Sequence, residues 1–220
     1  MIVRNLAPPW FGTEQPLHRD GVDGGDGGKL KIIHGKASSG NGTLQVIDAL
    51  ISLPTEYQHN TEVLMLEVAS TPESIKERVA ASAADLPPGT LKIIPGIPHE
   101  AMGNLLAQFD VGLISYQRDL GYESLPNRLF EYMAAGLATL APSYSPEIVK
   151  ILDSEGIGVA LDFESSQAIA TAIRWCQDHL DVVRTMGVRA RSAYFSRYTW
   201  DTEAERLIAA MSETRENRGH

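Results

Sequence analysis

Short apolar runs alternate along this chain with amphipathic segments of helical length. The runs are Leu30 to Ile33, Val63 to Val68, Leu91 to Ile94, Val111 to Ser115, Ala138 to Ala141 and Gly158 to Leu161. Because these runs are almost continuously apolar, both faces of the strands are expected to be covered, as in a parallel sheet. The alternation predicts an α/β fold, a doubly wound parallel sheet of about six strands with helices on both sides.

The segments between the runs carry helix signals. Residues 42–53 place apolar side chains on one face and stop before Pro54. Thr71 is expected to cap a helix with Pro72 at its first position. The other predicted helices lie near 99–108, 126–135 and 145–154, and after the last strand at 165–179, 181–194 and 201–214.

The start of the chain lacks this pattern. Pro8-Pro9-Trp10 is followed by the glycine-rich run 21–28, in which glycine entropy opposes regular structure. We interpret residues 6–28 as an exposed connector. The chain is accordingly divided into an N-terminal linker segment, 1–29, and one domain with C-terminal helices, 30–220.

Charge and cysteine content narrow the function classes. Lys and Arg number 19 against 28 Asp and Glu, a formal charge of −9, and there is no basic block. Binding to nucleic acid or to an anionic membrane is therefore disfavoured. Cys176 is the one cysteine, and neither a signal peptide nor a transmembrane run is visible in the sequence. A cytoplasmic location is expected.

Two strand-to-helix loops are candidate ligand sites, because open parallel sheets bind ligands beyond the carboxyl ends of their strands. Residues 34–42 form a glycine-rich loop whose N–H groups and following helix can hold phosphate. It lacks the Walker and Gly-x-Gly-x-x-Gly patterns, so a plain turn is an equal alternative. Residues 94–100 contain two prolines, and the alternative there is a turn ending in a helix cap.

The segment 121–136 carries the strongest chemistry. Ser124 is expected to cap a helix with Pro126 in its first turn, which would make that helix start an anion site. Asn127 and Glu131 share a helix face. A carboxylate among apolar neighbours needs a partner, and sugar hydroxyls suit it. In an arbitrary sequence, a solvated surface position for Glu131 would be the favoured alternative.

Motifs for other chemistries are missing from the sequence. It has no Asp-x-Asp pair, no clustered Cys and His at metal-ligand spacing and no Gly-x-Ser-x-Gly elbow. Metal-dependent and acyl-enzyme mechanisms are therefore disfavoured.

Residues 30–211 resemble the C-terminal, nucleotide-sugar-binding domain of GT-B fold glycosyltransferases of the group 1 or family 4 type. The stretch Glu123 to Gly136 is similar to the family's paired-glutamate signature, with Glu123 and Glu131 as the two acids. Supporting features follow in sequence order: the glycine-rich first loop, Gly96, Phe109-Asp110-Val111 and Tyr198-Thr199-Trp200. The resemblance implies a Rossmann-like domain that is half of a GT-B fold.

The resemblance also implies site residues. Glu123 would contact the donor sugar and Glu131 the ribose hydroxyls, while Gly96 and Ile97 would border the base. With Glu123, Lys36 is assigned to catalysis, because it would neutralise the leaving diphosphate. The other residues assigned to the nucleotide are Gly35, Asn41, Ser124, Leu125, Pro126, Asn127 and Arg128. The donor is a substrate, and no cofactor or metal is expected.

Two departures from the family are visible. Its first loop carries an arginine and, five positions later, a lysine, whereas this chain has Lys36 and Asn41. One positive charge of the family's site is therefore missing. Either Arg128 would compensate for this charge, or the activity would be reduced. The acceptor-binding half is also absent, so the chain alone is expected to bind donor weakly and transfer little.

The expected function is glycosyl transfer, with retention, from a nucleoside diphosphate sugar to an acceptor that the sequence does not identify. The alternative is a non-catalytic nucleotide-sugar-binding subunit, and a sugar-nucleotide epimerase is weaker because its acid and base residues find no match. The expected partner is an acceptor domain in cis or on a second chain. The last helix would leave an apolar stripe partly exposed or covered by a second copy, which makes a homo-oligomer a further candidate.

Overall fold

The computed structural model describes residues 4, 6–8, 10–11, 28–122 and 124–216. The strands are β1 (Leu30–His34), β2 (Thr61–Leu66), β3 (Leu91–Ile94), β4 (Val111–Leu113), β5 (Ala138–Pro142) and β6 (Gly158–Leu161). The helices are α1 (Thr43–Ser52), α2 (Thr55–His59), α3 (Glu73–Asp85), α4 (His99–Leu106), α5 (Arg118–Gly121), α6 (Asn127–Ala135), α7 (Pro146–Glu155), α8 (Ser166–Asp178), α9 (Leu180–Arg197) and α10 (Trp200–Glu216).

The strands form one sheet in the order β3-β2-β1-β4-β5-β6, and every neighbouring pair is parallel. In the register, Ile32 of β1 lies between Val63 of β2 and Val111 of β4. The predicted doubly wound, Rossmann-like sheet is confirmed. Because the strand order reverses between β1 and β4, a crevice forms beyond the carboxyl ends of these two strands.

Both faces of the sheet are buried, as the apolar runs predict. Ile32 belongs to an apolar cluster with Ile47 of α1, whereas the next residue, Ile33, belongs to a second cluster with Phe130 of α6. Successive residues of a strand point to opposite faces, so one short run supplies both layers of the core. Helix α1 therefore covers one layer of the core, and α6 covers the other.

The predicted cap of α3 is wrong. The Thr71 hydroxyl donates to the carbonyl of Ala37 and accepts from the amide of Val68, each at 2.8 Å, while Pro72 occupies the cap position. Thr71 thus braces the loop that follows β1 instead of the first turn of α3. The predicted helices otherwise coincide with observed ones to within a few residues.

The start of the chain is not an exposed connector where the structure describes it. Leu6, Ala7 and Phe11 are buried, Phe11 completely, in the apolar cluster that includes Phe130. The Tyr194 hydroxyl donates to the carbonyl of Ala7 at 2.9 Å. Residues 9 and 12–27 of the expected connector lie outside the described residues, and the domain boundary at residue 30 stays a prediction.

Hydrogen bonds of Glu203 hold the first turns of helix α10 in place. The buried Glu203 carboxylate accepts from the Arg4 amide at 2.8 Å and from Arg206 Nη1 at 2.7 Å. Further along, Ile208 and Met211 are 64 % and 62 % exposed. In the single chain, the expected partly exposed stripe is confirmed. Among the described residues, none of the helices is both long and apolar enough to span a bilayer.

His34, the last residue of β1, connects three elements in the interior of the protein. It is buried, and its Nε2 lies 3.2 Å from the Thr43 hydroxyl of α1 and 3.4 Å from that of Ser115 after β4. Burial, helped by the positive charge of Arg128, lowers the pKa of His34 from 6.5 to about 4. His34 is therefore neutral at neutral pH, and it joins β1, α1 and the end of β4 without adding charge.

Replacing Phe11 tests whether the start of the chain belongs to the core. Phe11→Ala should lower the free energy of unfolding by about 3–5 kcal/mol, because a fully buried ring is removed. Urea denaturation measures this loss. Trp10→Ala is the matched control and should cost less, since Trp10 is 47 % exposed. Equal stability of Phe11→Ala and the unchanged protein would contradict the packing.

Replacing His34 tests its neutral state. Since the pKa is about 4 when folded and 6.5 when unfolded, the unfolded chain takes up the proton first as pH falls. Stability should therefore fall between pH 6.5 and 4, by a His34 contribution on the order of 3 kcal/mol. His34→Gln should remove this slope, and the exposed His59→Gln should keep it. A slope unchanged in His34→Gln would refute the assignment.

Candidate functional site

A cleft lies beyond the carboxyl ends of β1 and β4, where the strand order reverses. Its empty volume, including space open to solvent, is about 360 Å³. The lining residues are His34, Gly35, Lys36, Asn41, Leu113, Ile114, Ser115, Tyr116, Arg128 and Tyr132. Of the residues assigned from the sequence, Gly35, Lys36, Asn41 and Arg128 are thus brought together.

The loop after β1 is held from both sides. The Ala37 amide donates to the carbonyl of Leu66 at the end of β2, at 2.8 Å. On the other side, the Ser115 hydroxyl donates to the carbonyl of Asn41 at 2.6 Å. Gly42 has a φ of 61°, and a Cβ there would lie 2.6 Å from the Ser115 carbonyl oxygen. The loop is therefore held between the ends of β2 and β4.

Within this loop, Lys36 and Asn41 differ in exposure. Lys36 is exposed and lines the cleft, so its ammonium group is available to a ligand. Asn41 is buried, and its side-chain amide donates to the Ser38 hydroxyl. Position 41 therefore contributes no charge to the cleft.

The start of α6 differs from the prediction. The Ser124 hydroxyl donates to the carbonyl of Leu120 and does not cap the helix, so the expected capping role is wrong. Pro126 occupies the cap position, and among the described residues no side chain caps the helix start. The Leu129 amide donates to the Pro126 carbonyl, whereas the N–H groups of Asn127 and Arg128 have no acceptor among the described residues, which is the property of an anion site. Glu123 lies outside the described residues.

Glu131 is buried in α6 with only 8 % exposure, so the solvated alternative is wrong. Its Oε1 lies 3.2 Å from Nε2 of His99, and its Oε2 lies 3.3 Å from Nε of Arg128. The partner that the buried carboxylate requires is thus supplied by the protein. Each oxygen keeps acceptor capacity for a further hydroxyl.

His99 is a site residue that sequence reasoning missed. Its ring lies 5.4 Å from that of Trp10 and 5.5 Å from that of Phe11, between centroids. It connects the buried start of the chain to Glu131. The only local signal is the position of His99 at the beginning of α4, which reveals neither contact.

Gly96 and Ile97 lie on the loop that carries His99. A Cβ at Gly96 would lie 2.8 Å from the Glu67 carbonyl oxygen, so glycine permits the loop to approach the end of β2. Ile97 is half-buried against the apolar cluster that contains Phe130. The structure therefore places both residues on the His99 side of Glu131, and neither of them lines the cleft.

Arg128 reaches across the cleft from α6 to the first loop. Its Nη1 is buried and has no hydrogen-bond partner among the described residues. A Cβ at Gly35 would collide with this nitrogen, so glycine is required for the approach. The sequence singled out Gly35 for its loop, but its close contact with Arg128 depends on the tertiary structure.

Tyr132 forms the floor of the cleft. Its hydroxyl donates to the carbonyl of Leu113 at 3.2 Å, and burial raises the pKa of Tyr132 to about 12. Its ring covers Gly112 so closely that a Cβ there would collide with it. Gly112 was missed in the sequence analysis, although a glycine inside a short strand often marks a close approach.

The electrostatics of the cleft favour an anion. Lys36 and Arg128 are cationic, His34 is neutral, and no Asp or Glu belongs to the described lining. The uncapped start of α6 adds a positive partial charge. In the part of the chain that the structure describes, no group of three or more His, Cys, Asp or Glu is placed to hold a metal ion.

This chain resembles known proteins in its sequence and in its fold. The model of the family described as glycosyl transferase-like matches residues 67–209. No sequence among the curated proteins matches this chain significantly.

Similar folds occur in several solved structures. A glycosyltransferase from Rickettsia africae has a TM-score of 0.68 at 17 % identity, covering 86 % of this chain and 48 % of its own. HepE from Anabaena in complex with UDP has a TM-score of 0.68 at 14 % identity, covering 84 % and 49 %. The C-terminal domain of a group 1 family glycosyl transferase, LpcC, from Francisella tularensis has a TM-score of 0.63 at 18 % identity, covering 78 % and 87 %.

The covered shares of the three solved chains indicate which part of those proteins this chain resembles. This chain spans about half the length of the Rickettsia and Anabaena proteins, but most of the isolated C-terminal domain from Francisella. The expected fold, that of the C-terminal domain of a GT-B glycosyltransferase, is confirmed. With a family model that matches more than half of its residues, the chain belongs to the glycosyl transferase-like family.

Proposed function

We propose that this chain is the donor-binding half of a glycosyltransferase and binds a nucleoside diphosphate sugar in the cleft. The observation that carries the proposal is a cleft whose described lining contains Lys36 and Arg128 and no carboxylate, beside the start of α6, which no described side chain caps. Such a site suits a diphosphate, which is the charged part of the donor. Family membership supports glycosyl transfer over a non-catalytic binding subunit.

The diphosphate would lie between the first loop and α6. Lys36 would neutralise it from the exposed side, and the backbone of Gly35 would border it. On the other side, the backbone from Ser124 to Asn127 would face the phosphates, although Pro126 has no N–H to donate. Charge that develops on the leaving diphosphate during transfer is stabilised by groups that are already in place.

The nucleoside would lie on the His99 side of α6. Glu131 would accept from the ribose hydroxyls with the lone pairs that His99 and Arg128 leave available. Gly96 and Ile97 would border the base, and Glu123 would contact the donor sugar. In this proposal the sugar is transferred with retention, and neither a metal nor a cofactor takes part.

An acceptor half is also required. This chain spans about half of relatives such as HepE, whose complex contains UDP. The proposal therefore includes an acceptor domain, in cis or on another chain, without which donor binding is weak and transfer slight. A cytoplasmic location is part of the proposal, and the single cysteine supports it.

A thermal-shift screen tests nucleotide binding. We expect at least one of UDP, GDP, ADP and dTDP to stabilise the chain, by roughly 2.7 kcal/mol at a hundred times its dissociation constant. The matching nucleosides are the control and should stabilise less at equal concentration, because they lack the diphosphate. If none of the four diphosphates shifts the melting temperature, the proposed function is wrong.

Glu131→Gln tests the ribose contact. It should weaken nucleoside binding by about tenfold to a hundredfold, because a charged acceptor is lost while the shape is kept. Calorimetry with the nucleoside of the best diphosphate measures the change, and circular dichroism verifies the fold. Glu100→Gln, at the exposed start of α4, is the control. An unchanged nucleoside affinity in Glu131→Gln would leave Glu131 with a structural role.

A further inference from the structure

The guanidinium of Arg128 is incompletely satisfied. Nη1 is buried and has no hydrogen-bond partner among the described residues. A buried charged donor without an acceptor is unfavourable, and proteins retain such a group where a ligand or water completes it. An acceptor is therefore expected at this nitrogen in the working protein.

Glu131 fixes the direction in which this nitrogen points. Arg128 Nε lies 3.3 Å from Glu131 Oε2, one helical turn further along α6. Because the guanidinium is planar and rigid, a contact at Nε turns Nη1 away from the carboxylate. Nη1 then lies against Gly35, where a side chain would collide with it. The arginine is aimed at the loop that follows β1.

Besides Arg128, the described lining of the cleft contains one cationic side chain, Lys36. Lys36 is exposed and mobile about its four-carbon stem, and the amide of Asn41 is taken by Ser38. His34 is neutral at neutral pH. A diphosphate group carries about two or more negative charges, so one flexible ammonium leaves it incompletely neutralised.

We propose that Arg128, aimed by Glu131, binds the diphosphate group of the donor through its guanidinium, which lines the cleft, and is the second cation of that site. The inference rests on the proposed function and deepens it. Glu131 thereby acts on two parts of the donor: directly on the ribose and, through Arg128, on the phosphates. In this role Glu131 is a positioning residue.

Calorimetry with Arg128→Gln tests the inference on the full chain. The probes are UDP, GDP, ADP and dTDP, each compared with its nucleoside. For whichever diphosphate the unchanged protein binds, affinity should fall by about tenfold to a hundredfold, while nucleoside affinity changes less than about twofold. The dependence of diphosphate affinity on salt should also become shallower. Arg118→Gln, an exposed arginine paired with Glu164, should leave both affinities unchanged.

Two further variants separate the effect of the positive charge of Arg128 from the effect of its orientation. Arg128→Lys keeps the charge but loses the Nε contact, so it should recover only part of the diphosphate affinity. Asn41→Lys in the Arg128→Gln background returns a cation to the other side of the cleft and should recover several-fold of the loss. The unfolding free energy of each variant is measured in parallel, so that affinities are compared only among folded proteins.

The possible results separate the two proposals. If diphosphates bind the unchanged protein and Arg128→Gln equally well, the arginine is only an ion-pair partner of Glu131 and the inference is overturned. Equal losses for nucleoside and diphosphate would overturn it as well, because the effect would then not depend on phosphate. An unchanged protein that binds none of the four diphosphates would overturn the proposed function together with the inference.

Discussion

The parallel pairing of all six strands is the constraint on which the rest of this structure depends. Parallel strands need crossovers, and crossovers place helices on both faces, so each strand must be apolar on both sides. The reversal of strand order between β1 and β4 sends neighbouring crossovers to opposite faces. The gap that results lies beyond the carboxyl ends of β1 and β4, and the candidate site occupies it.

Much of the fold could be predicted because its signal is local. The near-continuous apolarity of the strands located all six, and Gly136, with a φ of 78°, ends α6 where the sequence placed a stop. Helices α2 and α5 were missed, since they are too short to show an apolar face. The caps at Thr71 and Ser124 were wrong, because short hydroxyl side chains took backbone carbonyls elsewhere, that of Ala37 lying 34 positions away.

The site was predictable in part for the same reason. The apolar neighbours of Glu131 along α6 indicated a buried carboxylate that needs a partner, and burial is confirmed. The identity of the partners depends on the tertiary structure, since His99 is 32 positions away from Glu131. The burial of Phe11 was equally invisible, because a proline-rich and glycine-rich context reads locally as a loop. Roles assigned from the family signature stay predictions, and Glu123 lies outside the described residues.

The carboxylate of Glu203 has a mechanical consequence. It accepts from the backbone amide and the guanidinium of Arg4 and from the guanidinium of Arg206, so Arg4 and the first turns of α10 are held at one point. A buried charge held by two cations is costly to separate, because either half alone would leave an unpaired ion. A pull applied at Arg4 would therefore be transmitted to the first turns of α10 through this one carboxylate.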